Sequence, residues 1–141
     1  MTNRYRTADL AALAMAVLLA SVAAPAAAED PANSPLLVKI HADWCGTCTR
    51  LNPTWDALQA KYGDSVQLVV LDVTDKEALV RSTAEADRLG IREFFDDYKS
   101  KTGTIGVLNG SNGEVVRVLK GETDATAYEA PLAHAAGQTP S

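Results

Sequence analysis

Cysteine is scarce in this chain of 141 residues: there are two, Cys45 and Cys48, and only two residues separate them. A structural disulfide elsewhere is therefore excluded, and in an oxidising compartment the pair itself would rest as a disulfide unless something reduces it. Basic clusters are lacking too. Lysine and arginine number 13 against 18 aspartates and glutamates, a balance that argues against nucleic acid or an anionic lipid surface as partners. The apolar run 10–24 (LAALAMAVLLASVAA) falls short of the ~20 residues that a membrane-spanning helix needs. Internal repeats are absent.

That short run has the form of an export signal. Arg4 and Arg6 precede it, and Ala26-Ala27-Ala28 follows as an A-x-A cleavage site before Glu29. With no cysteine near the site, a bacterial lipoprotein anchor is excluded. The expectation is a signal peptide over residues 1–28, cleavage after Ala28, no stable membrane anchor afterwards, and a periplasmic protein. Setting aside Arg4, Arg6 and Asp9, the remaining 113 residues carry 11 basic and 17 acidic side chains, a net charge of −6. That length suits one domain with a modest core.

Residues 29–35 (EDPANSP) hold two prolines and no periodicity, and read as a flexible lead. Leu36 to Ala42 reads as a short buried strand. Leu51, Trp55, Leu58 and Tyr62 then recur at one-face helical spacing. A second buried strand is expected over residues 66–73, and a helix capped by Asp75 over 76–89. Ile91, Phe94, Phe95 and Tyr98 predict a further short helix, from Arg92 to about Ser100. Strands over 104–108 and 114–120 flank the turn-rich segment 109–113, the pattern of a hairpin. Thr123 is the expected cap of a last helix reaching about Ala136, with a tail over 137–141. The order implies an α/β fold: a four-stranded mixed sheet with helices on both faces.

The chemistry sits at the first strand-to-helix junction, Ala42-Asp43-Trp44-Cys45-Gly46-Thr47-Cys48. Counting back from Leu51 puts Cys48 at the start of the buried stripe and Cys45 at the helix start, where side chains are exposed. Free backbone N–H groups and the helix dipole there stabilise a thiolate at Cys45. Cys48 lies near enough to resolve the mixed disulfide that Cys45 would form. This is a thiol–disulfide exchange centre.

Trp44-Cys45-Gly46-Thr47-Cys48 after a strand, with Pro53 five residues beyond Cys48, resembles the thioredoxin superfamily. The resemblance covers residues 36–136 and implies the thioredoxin-like fold in a four-stranded form. It implies Cys45 as the attacking and Cys48 as the resolving residue, with Trp44, Thr102 and Gly103 in the partner groove. It also implies protein thiols and disulfides as substrates, no organic cofactor, and a membrane protein that delivers electrons. Asp43 has no expected role beyond solubility.

The chain departs from the family pattern at four positions. Thr47 replaces a proline of the reducing thioredoxins. Lys39 stands where the family has a buried acid, and reads as a base or cation acting on a thiolate, or as a lysine reaching solvent along a sheet edge. His41 replaces an aromatic; it is either a charge that favours the Cys45 thiolate or a neutral packed imidazole. Gly103 replaces the cis-proline, which predicts a more open cysteine pair. The leading function is an exported thiol–disulfide oxidoreductase, reductase ahead of oxidase. The alternative is a metal-binding or copper-delivery protein using the same cysteines, for which the other ligands are missing.

Overall fold

The computed structural model describes residues 30–138; the expected signal peptide, Glu29 and the last three residues of the tail lie outside them. Strand β1 (Leu36–His41) runs into helix α1 (Gly46–Tyr62), strand β2 (Gln67–Asp72), and helices α2 (Lys76–Arg88) and α3 (Arg92–Tyr98). Strands β3 (Thr104–Leu108) and β4 (Val115–Lys120) form the hairpin, and α4 (Glu129–Ala135) closes the fold. The sheet order is β2-β1-β3-β4, with β1 parallel to β2 and antiparallel to β3.

Strand β1 is central and covered on both faces, which is why its sequence is apolar almost throughout. On one face Leu37 packs with Leu51, Trp55 and Leu58 of α1 and with Tyr128 and Leu132. On the other, Leu36, Val38 and Ile40 meet Ala86, Phe94 and Phe95. The short α3 forms as its periodicity predicts: Phe94 and Phe95 are buried, and Phe94 stacks on Tyr98 with ring centroids 4.9 Å apart. Asp75 caps α2 by accepting the Ala78 N–H at 2.8 Å.

Two expectations are corrected. Strand β2 is not buried: it is an edge strand in which Leu71 alone is buried and Val70 is exposed. The last helix is not capped by Thr123, whose carbonyl accepts the Thr54 hydroxyl at 2.8 Å. Asp124 instead caps a 3-10 turn, Ala125–Tyr128, that leads into α4. Pro131 falls in the first turn of α4, where no helical donor is required of it. Of the lead, Pro31–Asn33 forms a 3-10 turn and the Pro35 carbonyl accepts the Gln67 N–H at 2.8 Å.

Candidate active site

Cys45 is the N-cap of α1, in extended backbone (φ −90°, ψ 105°). Its N–H donates to the Ala42 carbonyl at 3.1 Å, and its Sγ accepts the Cys48 N–H at 3.1 Å. The two cysteines are joined as a disulfide with Cα atoms 5.2 Å apart. Cys48 is fully buried, its Sγ 3.7 Å from the Ile40 carbonyl oxygen. The same oxygen accepts the Gly103 N–H at 2.9 Å. Cys45 departs from the exposure its position predicts: it is 7% exposed. Its sulfur is turned inward over the helix start to meet Cys48, in a small cluster with Ala42 and, at its edge, Val73.

Gly103 does not leave the pair open. It has φ +79° and follows a trans bond, since the described residues contain no cis peptide. A methyl carbon added to it would stand 2.6 Å from Thr47 Cγ2, 2.9 Å from Thr47 Cβ and 3.7 Å from Cys45 Sγ. The space that a side chain at 103 would use is occupied by Thr47. Thr102, half-buried, precedes Gly103 at this rim.

Trp44 is 67% exposed, yet fixed: its Nε1 donates to the Thr74 carbonyl at 3.1 Å. Thr74 also accepts the Asp43 N–H at its hydroxyl, 2.9 Å away, and donates its own O–H to Asp72 Oδ1. Burial would raise the Asp72 carboxyl, but hydrogen bonds from the Thr74 hydroxyl and amide outweigh it and hold the carboxyl below its ordinary value. Asp43 does more than keep the loop soluble, because its Oδ1 lies 3.2 Å from His41 Nε2. His41 is partly buried beside Asp72 in the sheet register, and its Nδ1 is buried without a partner. Thr74 and Asn52 are the residues that sequence reasoning missed. The Asp72-x-Thr74 spacing after a strand was a usable signal for the first, since such residues fold back on their own backbone.

Lys39 is buried, 3% exposed. The route along a sheet edge is closed to it, because β1 lies between β2 and β3. Its stem runs under α1 instead, with Nζ 5.7 Å from the centre of the Trp55 ring and donating to Asn52 Oδ1 at 2.9 Å. Asn52 is one helical turn beyond Cys48, so the ammonium lies beneath the same helix face as the buried sulfur. Burial pushes the Lys39 amine down, and Asp56 partly opposes this. A lowered amine means that the folded chain gives up this proton before the unfolded chain does. The burial penalty is therefore in full force at neutral pH and is relieved as pH rises toward 10.5. Lys39→Met should stabilise the fold near neutral pH by about 1–2 kcal/mol, since exposed Asn52 can turn to water. Urea unfolding near pH 7 and again at about pH 10 should show that gain shrinking with pH. A constant gain, or a loss at neutral pH, would mean that Asn52, Trp55 and Asp56 offset the burial of the Lys39 cation in full.

Among the described residues no three His, Cys, Asp or Glu side chains converge as a metal site. What the geometry can do is exchange disulfides: one sulfur at a helix start, a second sealed behind it, and a fixed aromatic at the rim.

The comparisons agree with that chemistry. A family model described as Thioredoxin matches residues 25–86. The chain is 31% identical over 110 residues to a thiol:disulfide interchange protein TxlA homolog of Synechocystis sp., covering 74% of this chain and 57% of that one. It is 35% identical over 72 residues to thioredoxin X, chloroplastic, of Arabidopsis thaliana, covering 50% of this chain and 38% of the relative. This chain thus spans about half the length of the curated relatives it matches or less. Among solved structures, a thioredoxin-like protein in the oxidised form superposes with a TM-score of 0.50 at 16% identity, over 77% of this chain and 81% of that one. The fold is thioredoxin-like.

Proposed function

We propose that this chain, which carries a thioredoxin family domain, is an exported thiol–disulfide oxidoreductase working as a reductase of protein disulfides. The observation that carries the reading is the placement of Cys45 as the α1 N-cap with Cys48 bonded to it from the buried side. In the reduced form, the Cys45 thiolate attacks a partner disulfide and forms a mixed disulfide, releasing one partner thiolate. Cys48 then attacks Cys45 Sγ, forms the Cys45–Cys48 disulfide and releases the second partner thiol. Two electrons leave the dithiol and no organic cofactor is needed. A name containing thiol:disulfide interchange in one relative supports the reaction class. Re-reduction falls to a membrane protein that delivers electrons into the export compartment, a role this reading requires.

One preparation tests both halves of the proposal. Protein recovered from the export compartment should have an intact mass beginning at Glu29, as the Ala26-Ala27-Ala28 site requires. The same protein should accelerate the reduction of insulin by dithiothreitol. A mass that retains residues 1–28 overturns export, and a rate equal to dithiothreitol alone overturns the reductase.

A further inference from the structure

Three residues far apart in the chain meet beside Cys45. Gly103 (φ +79°) and Gly121 (φ +65°) lie side by side, the Gly121 N–H donating to the Gly103 carbonyl at 2.9 Å. Both backbones are in the left-handed region, where a side chain would be strained, and together they form a notch without side chains. The Thr47 methyl fills it. Thr47 Cγ2 is 2.6 Å from the place a Cβ would take on Gly103 and 3.4 Å from the corresponding place on Gly121. The Thr47 hydroxyl is turned away, accepting from Arg50 Nη2 at 3.0 Å. The methyl and the hydroxyl therefore have separate tasks.

We propose that Thr47 is a specificity-determining residue for disulfide exchange: its methyl plugs the Gly103–Gly121 notch, walls off that side of Cys45, and so disfavours small disulfides relative to protein-borne ones. This rests on the reading of the chain as an oxidoreductase. With Cys45 only 7% exposed, each side that is closed removes an approach to its sulfur. A disulfide carried on a protein brings flanking chain that must lie along the surface, past exposed Trp44. It cannot use a methyl-sized gap between two glycines. A small disulfide or a small alkylating agent has no flanking chain to seat, so it can turn to reach Cys45 Sγ from whichever side is least crowded. Plugging the gap costs the protein substrate little and the small reagent much.

Thr47→Ser and Thr47→Val separate the two ends of the side chain. Serine removes the methyl and keeps the acceptor for Arg50; valine keeps a γ-carbon in the notch and loses the acceptor. Reduced protein is treated with iodoacetamide and with glutathione disulfide, and a single turnover of insulin reduction by the pre-reduced protein, free of dithiothreitol, is followed in parallel. With glutathione disulfide, Cys45 forms a mixed disulfide and releases one glutathione, and Cys48 displaces the second. Thr47→Ser should react with both small reagents about tenfold faster than wild type, the scale that a single methyl commands in a packed pocket, with insulin reduction changed less than about twofold. Thr47→Val should match wild type throughout. Unchanged small-reagent rates in the serine variant, an equal gain in the valine variant, or insulin rising in step would each overturn the proposal. If wild type fails to reduce insulin the oxidoreductase reading fails, while iodoacetamide, which needs no partner, still tests the wall.

Discussion

Cys45→Ala is expected to bring insulin reduction down to the dithiothreitol background, a loss on the order of a thousandfold or more, as when a nucleophile is removed. Cys48→Ala should be equally poor in turnover but for another reason: it attacks once and stays attached to its partner. The asymmetry comes from the two sulfur environments. Cys45 Sγ faces the start of α1 and already accepts the Cys48 N–H, so negative charge on it meets a donor and the positive end of the helix dipole. Cys48 Sγ is sealed and faces the Ile40 carbonyl oxygen, which repels a thiolate and can accept from a thiol. Reduction should therefore leave Cys45 as the nucleophile and Cys48 as a thiol held in reserve. Mass spectrometry of Cys48→Ala recovered from cells that produce it should find partner proteins attached through Cys45. Partial iodoacetamide labelling of reduced wild type should modify Cys45 first. Adducts forming at Cys48 in Cys45→Ala at a comparable rate would reverse the assignment.

Gly103→Pro is expected to damage this chain. Proline fixes φ near −65°, and Gly103 sits at +79°. Proline also has no N–H, so the bond to the Ile40 carbonyl is lost, and Ile40 is fully buried where water cannot replace the donor. A wrong backbone conformation together with a buried unsatisfied carbonyl should cost about 3–5 kcal/mol, a large share of what holds a domain of this size folded. Urea unfolding of the oxidised proteins measures it. Equal or greater stability in the variant would show that the segment around 103 has a second conformation, with proline geometry, within easy reach.

Much of the fold was legible because its signals are local. Ile91, Phe94, Phe95 and Tyr98 announce α3 within eight residues, and Leu51, Trp55 and Leu58 do the same for α1. The cysteine pair reads from its own junction, as strand period gives way to helix period. The misses are tertiary. Lys39 finds Asn52 thirteen positions away, and Trp44 finds Thr74 thirty away; neither pair follows from the period of a single strand or helix. The exposure of β2 is hidden for a related reason: an apolar run such as 68–71 looks alike in the middle and at the edge of a sheet, and only strand order decides. The burial of Cys45 is not legible either, because helix phase places a Cα but does not say which way an N-cap side chain turns. Glycine at 103 suggested an opening only because its neighbour was out of sight. Thr47 belongs to a different segment, 56 positions earlier in the chain.

The plugged notch also orders the history open to this chain. Positions 47 and 103 are mutually conditional. A side chain cannot be added at 103 while threonine stands at 47, because the new carbon would fall inside contact distance of its methyl. Trimming position 47 first carries no such clash, since it removes atoms. Gly103 is therefore held twice, by its φ of +79° and by the methyl of Thr47, and a lineage that keeps the threonine keeps the glycine with it.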